Sequence, residues 1–271
     1  MSDLVTMPRI DVLALARVDA VPEFHPEYQG FVPFPVHAFL IHHPDGAIVV
    51  DTGIGYGNDL IDSLYPHTSV PLLDELHRCG VDERDVQLIV NSHLHFDHCG
   101  QNHVLSCPVA VQHAELQAAR EPLYTVPAWA AVPADRERQL NGDTELCTGV
   151  QALLTPGHTP GHQALVIKAA GDVVVIAAQC VYRRTAWHGE IEPSNLHDEA
   201  WRSAATESVT RLRALNPRRV LLSNGRHGPC CSRWGRRSNP SRDCDSRDPR
   251  QVVADAPDAP IGARHDWRWA S

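Results

Sequence analysis

Asn91-Ser92-His93-Leu94-His95-Phe96-Asp97-His98-Cys99-Gly100 is the stretch from which the chain is read. Three histidines and an aspartate fall within six residues, an apolar run from Val86 to Val90 leads in, and a glycine closes the segment. That pattern predicts a strand running into a tight polar loop. A strand sends alternate side chains to opposite faces, whereas a loop at its end aims several into one cavity. Four such groups packed together repel one another if charged and lack partners if buried neutral. A divalent cation resolves both problems, and imidazole with carboxylate suits zinc.

Working outward, Asp51-Thr52-Gly53 ends an apolar run over 47–50, which follows the hairpin signal Asp45-Gly46. An aspartate at such a strand end either orients a metal ligand from behind or stabilises its own turn. Residues 10–18 and 36–43 read as strands, with Pro33 and Pro35 breaking the chain between them. Leu72, Leu73 and Leu76 at helical spacing, with Gly80 as C-cap, predict a helix over 70–79. After the histidine loop, 108–112 reads as a strand and 113–120 as a helix. Residues 121–135, rich in Pro, Ala and aromatics, read as a long irregular insertion that walls a substrate pocket or packs on the surface.

The second cluster is Thr155-Pro156-Gly157-His158-Thr159-Pro160-Gly161-His162, an irregular turn after short strands over 146–154. His158 at its tip is assigned as a metal ligand, and His162, entering strand 163–168, as a supporting or structural residue. A strand over 173–178 ends at Gln179-Cys180-Val181-Tyr182. A helix over 197–215 carries Trp201, Ala204, Ala205, Val209, Leu212 and Leu215 on one face. A last strand, 220–222, delivers Ser223-Asn224-Gly225-Arg226-His227. Strands and helices alternate through two halves, each ending strands at metal-type residues. This suggests two sheets packed face to face with helices outside and the site at the strand ends.

Composition narrows the classes. A net charge of −9 argues against a general nucleic-acid surface. There is no apolar run of about 18 residues, so no membrane span is expected. Residues 1–20 carry Asp3, Asp11 and Arg17 among their apolar positions and read as a strand rather than a signal peptide, so the expectation is a cytoplasmic protein. Eight cysteines contain no C-x-x-C pair and read as reduced, structural thiols, although Cys99 and Cys180 lie beside the expected site.

His93-x-His95-x-Asp97-His98, followed about 60 residues later by Gly157-His158, resembles the metallo-β-lactamase superfamily over roughly residues 10–225. Within it, 91–100 and 155–163 look most like the N-acyl-homoserine-lactone lactonases, the quorum-quenching enzymes. Tyr182 adds to this likeness, standing three residues after the family's bridging-aspartate position. The resemblance implies an α+β fold, a four-layer αββα sandwich. It implies that His93, His95 and His158 hold one zinc ion, that Asp97, His98 and a late histidine hold another, and that a water-derived nucleophile lies between them. The implied reaction opens a lactone ester: Asp97 moves the proton and Tyr182 donates a hydrogen bond to the developing oxyanion. Phe24, Phe31, Phe34 and Trp129 are candidates for an acyl groove. The expected partner is a small-molecule lactone or ester, and nothing sets the oligomeric state.

Two departures stand out. Gln179 occupies the bridging-aspartate position and offers a neutral carbonyl instead of an anion. Asn224 stands where the family's last strand meets its histidine, and His227 lies three residues on. The same site would serve a glyoxalase II-like thioesterase or another esterase. With Gln179 and Asn224 in place, a metal-impaired binding protein is the alternative of a different class. The catalytic domain is expected to span 1–223. Residues 224–271, dense in Arg and Pro, with three of the six tryptophans and no strand or helix period, read as a disordered tail or as an out-of-frame translation of a GC-rich gene.

Overall fold

Strand β5 (Val86–Val90) shows how the molecule is layered: Leu88 and Val90 face one way and Ile89 the other, and both faces are buried. The computed structural model describes residues 6–22, 33–182, 184–189, 199–224 and 252–253. The first half contains β1 (Arg9–Val18), β2 (Phe34–His43), β3 (Gly46–Val50), α1 (Asp59–Leu64), β4 (His67–Ser69) and α2 (Leu72–Arg78), then β5. It continues with α3 (Phe96–Cys99), β6 (Val109–Gln112), α4 (His113–Ala118), α5 (Pro127–Ala130) and β7 (Glu137–Leu140). The second half holds β8 (Thr144–Cys147), β9 (Val150–Leu154), β10 (Gln163–Ala169), β11 (Asp172–Ala178), α6 (Arg184–His188), α7 (Glu199–Ala214), β12 (Arg219–Leu222) and β13 (Val252–Val253).

The strands form two sheets, ordered β4-β1-β2-β3-β5-β6-β7 and β13-β12-β11-β10-β9-β8. Three apolar clusters account for the stacking. Between the sheets, Phe39, Ile41, Val50 and Val90 meet Leu165, Ile167, Ile176 and Leu221. Outside the first sheet, Leu13, Leu40 and Ile89 pack with Leu72 and Leu76 of α2 and Trp129 of α5. Outside the second, Val166, Val175 and Leu222 pack with Trp187, Val209 and Leu212 of α6 and α7. The result is the expected four-layer αββα sandwich. The near-continuous apolar runs of the central strands have this cause, because each strand is covered on both faces.

The structure corrects several details. The irregular insertion contains α5, and Trp129 is only 8% exposed within the first cluster, so it is a core residue and not a groove wall. Phe34 packs against the same cluster. Phe24, Phe31 and His227 lie outside the described residues. Trp201 is 38% exposed, because the buried stripe of α7 is Ala205, Ser208, Val209 and Leu212 and begins after it. Within the segment read as having no strand or helix period, Val252 and Val253 pair in parallel with Val220 and Leu221, a strand of two residues and too short to show one. Short elements such as α1, β4, α6 and β7 have too few residues to show a period. Among the described residues no helix is long and apolar enough to cross a membrane.

Candidate metal centre

The strand ends deliver the chemistry. Asp51 follows β3, the 91–100 segment follows β5, the 155–162 loop joins β9 to β10, Gln179 follows β11 and Asn224 follows β12. The expected polar loop is a short turn of helix, α3, with His95 at its N-cap. Its tight return depends on Gly100: a Cβ there would stand 2.0 Å from the Gly55 nitrogen.

His93, His95 and His158 converge, with one ligand atom from each inside a 4.8 Å circle. The Nε2 atoms of His93 and His158 are 3.1 Å apart. Burial drives both imidazoles well below their usual pKa and that of His95 to about 4, so all three present neutral nitrogens. Two neutral nitrogens at this distance either share one proton in an N–H···N bond or both turn their lone pairs to a cation. Imidazoles sharing a tetrahedral ion at about 2.0–2.1 Å stand about 3.3 Å apart, close to what is found.

The remaining ring nitrogens are held from behind. With Nε2 facing the centre, His93 Nδ1–H donates to Ser92 Oγ at 3.0 Å. Ser92 Oγ donates in turn to Asp51 Oδ2 at 2.7 Å, and Ser92 N donates to Asp51 Oδ1 at 2.7 Å. His98 Nδ1 donates to the same Oδ2 at 2.7 Å. Asp51 therefore orients two histidines, one directly and one through a hydroxyl, and it does so from a left-handed backbone position (φ +63°). The aspartate expected to act from behind a ligand occupies that place.

Asp97 and His98 face each other beside the trio, with His98 Nε2 3.3 Å from Asp97 Oδ2. Nε2 is buried and has no well-aligned hydrogen-bond partner. Burial opposes charge on His98, but Asp97 and Asp51 outweigh it and raise its pKa to about 10. Burial likewise raises the Asp97 pKa, and its contact with His98 more than offsets that, so the carboxyl stays ionised. A second cation bound there would replace the Nε2 proton and meet the same carboxylate. Gln179 is less suited: its amide nitrogen donates to Asn224 Oδ1 at 2.7 Å while its side chain also faces His158.

Tyr182 places its hydroxyl 2.8 Å from His158 Nδ1. The His162 ring lies 5.5 Å from that of His93, its Nδ1 is 2.8 Å from Thr155 Oγ1, and burial drives its pKa to about 3. It packs behind the ligands. Cys99 donates its thiol to the Leu94 and His95 carbonyls, and burial raises its pKa far beyond the ordinary thiol range. The Cys180 thiol is pushed up to about 12. Neither offers a thiolate, and the described cysteines are free.

Other residues escaped the sequence reading. Asn91 and Asn102 pair through their amides, and with Thr52 they hold the His98 carbonyl. Tyr124 of the insertion sets its ring 4.9 Å from that of His95. Ser92 is adjacent to His93 and could have been noticed there; Tyr124 belongs to the aromatics of the insertion read as a pocket wall, and Asn102 carries no local signal, because only the fold brings it near.

A family model described as the metallo-β-lactamase superfamily matches residues 31–223. An N-acyl homoserine lactonase from a Bacillus species is 32% identical over 195 residues, covering 67% of this chain and 76% of that protein. The Bacillus cereus N-acyl homoserine lactonase is 31% identical over 197 residues with the same coverage. A crystal structure described as a quorum-quenching N-acyl homoserine lactone lactonase superposes with a TM-score of 0.65 at 26% identity, covering 82% of this chain and 92% of that one. With the sandwich, the histidine cluster and these relatives together, the chain belongs to the metallo-β-lactamase superfamily and is a metal-dependent hydrolase acting on ester bonds.

Proposed function

We propose that this hydrolase uses zinc to open the lactone ring of N-acyl-homoserine lactones. The observation that carries the reading is the His93–His95–His158 convergence with Tyr182 bonded to His158, in a chain 32% identical to an N-acyl homoserine lactonase. A solved relative at 25% identity, with a TM-score of 0.64, is described with N-hexanoyl-L-homoserine at its catalytic metal centre, which supports a substrate of this class.

His93, His95 and His158 would hold one ion, and Asp97 and His98 would contribute to a second. Zinc bound there supplies Lewis acidity toward the ester carbonyl and lowers the pKa of a water molecule to about 7. The protein's own groups do the rest. Asp97, ionised and beside His98, accepts the proton of the attacking water and passes it to the departing ring oxygen. With His158 Nε2 turned to the centre, Nδ1–H donates to the Tyr182 phenol oxygen, and the phenol O–H turns to the carbonyl oxygen as charge grows on it. Asp51 keeps His93 and His98 in their tautomers throughout.

The Gln179–Asn224 pairing favours a second reading, a chain that holds one ion firmly and turns over slowly. Zinc content and ring opening measured on the same purified sample decide. Chelator-sensitive hydrolysis with about two zinc ions per chain supports the lactonase reading. Lack of turnover by folded, zinc-loaded protein on lactones, with activity on a thioester, moves the assignment to a thioesterase.

A further inference from the structure

Glu115, in α4, is 0% exposed and lies between the two histidine loops. Its oxygens divide the loops between them. Oε1 accepts from the Leu94 backbone nitrogen at 2.9 Å and from the Tyr124 hydroxyl. Oε2 accepts from the Thr159 hydroxyl at 2.7 Å and from the Gly161 backbone nitrogen at 3.1 Å. Leu94 sits between His93 and His95, Thr159 follows His158 directly and Gly161 lies three residues after it. Each oxygen thus takes one backbone N–H and one hydroxyl, which fills the acceptor capacity of an ionised carboxylate.

The packing has been closed around this contact. A Cβ at Gly161 would stand 2.2 Å from the Glu115 nitrogen and 2.5 Å from its Cβ, so only glycine lets the His158 loop come this near. The loops leave different sheets, whose shared core is apolar and non-directional. Directed bonds cross beside it from Gln163 at the start of β10, whose N–H donates to the Ser92 carbonyl and whose amide donates to the Asn91 carbonyl, each at 2.8 Å. Glu115 adds bonds to the loops themselves. Metal ligands need positions held to about 0.5 Å, which directed bonds supply. We infer that Glu115 is a positioning residue: its carboxylate ties the His93–His95 loop to the His158 loop and sets the three imidazoles at metal-binding spacing. This rests on the reading that those histidines hold a cation.

Four donors need four acceptor sites, which a carboxylate supplies and an amide does not. In Glu115→Gln one oxygen becomes an NH2 group. Whichever way the amide turns, it confronts the N–H of Leu94 or of Gly161, neither of which can accept. One loop is released while side-chain volume is kept. The experiment compares wild type with E115Q and Y124F, the latter keeping both backbone tethers. Amide exchange at Leu94 and Gly161 is read in the metal-free proteins, together with Co(II) affinity by chelator competition and the Co(II) visible bands. For E115Q the expectation is an affinity loss of about 10–100-fold, altered bands, and faster exchange at one of the two amides with the central strands unchanged. Y124F should lose several-fold less. Unchanged affinity and protection in E115Q overturns the inference, and so does a loss of protection spread evenly over the core. If E115Q does not fold, E115D is read instead: the shorter carboxylate cannot reach both loops, so exchange at Leu94 or Gly161 should rise and Co(II) affinity fall, and unchanged protection and affinity overturns the inference. Wild type that takes up no cobalt overturns the metal reading, while exchange in the metal-free protein still reports on the tether.

Discussion

Tyr182 hydrogen-bonds to His158 through the ring nitrogen that faces away from His93, with 2.8 Å between the phenol oxygen and Nδ1. The tyrosine therefore fixes the His158 tautomer, and in the proposed reaction its O–H turns to the substrate oxygen. Tyr182→Phe removes both services. We expect kcat to fall about 100-fold, as for loss of one oxyanion donor. Metal affinity should fall less, by about tenfold, as for loss of a ligand's outer partner. Steady-state kinetics at saturating zinc, alongside chelator competition, separates the two. Loss of affinity alone would leave Tyr182 without a role in the chemistry.

Asp51 serves two histidines, so its amide should damage both. Asp51→Asn gives Ser92 N or Ser92 Oγ an NH2 group to face and removes the anion beside His98. The expected cost is about 1–3 kcal/mol of stability, with metal affinity lowered about 10–100-fold. Urea denaturation and metal titration check it. An effect on stability alone would make Asp51 a turn residue.

Gln179→Asp tests the departure at the bridging position. An anionic oxygen attracts two cations more than a neutral carbonyl does. We expect the variant to hold a higher ratio of zinc to protein than the parent after identical dialysis, read by elemental analysis. An unchanged ratio would mean that the Gln179–Asn224 pair does not limit the second ion.

The neutral buried histidines make the metal-free protein acid-sensitive. Burial drives the His162 pKa to about 3, while an unfolded chain titrates near 6.5. Folding then favours the neutral ring: its contribution is complete above the unfolded pKa and is lost as pH falls from there toward the folded value. His93 and His158 act in the same direction. His162→Gln should flatten the fall in urea midpoint between about pH 6.5 and 4 in metal-free protein. A slope as steep as wild type would show that His162 carries no share.

Metal loading should reverse part of that sensitivity. Zinc at about 1,000 times its dissociation constant adds about 4 kcal/mol by mass action, and a chelator removes it. Thermal melts with and without chelator measure the difference; identical melts would mean that the folded state binds no ion.

The amino-acid order alone determined the layers and the candidate ligands. His93, His95, Asp97 and His98 share one short segment, so any fold that puts a turn there brings them together, and the apolar runs of 86–90 and 163–168 are too continuous for strands with a wet face. What the tertiary structure decided is how those ligands are held. The contacts of Glu115, Tyr124, Asn102 and Trp129 carry no local signal, because each acts on a partner from another element: Glu115 on Leu94 and Gly161, Trp129 against Gly55. Hydrogen bonds and packing depend on distance in space, while periodicity records only which face a residue takes on its own element. The clustering of His93, His95, Asp97 and His98 was therefore legible in one dimension. The tethers that hold the His93 and His158 nitrogens 3.1 Å apart exist only once the two sheets have closed on each other.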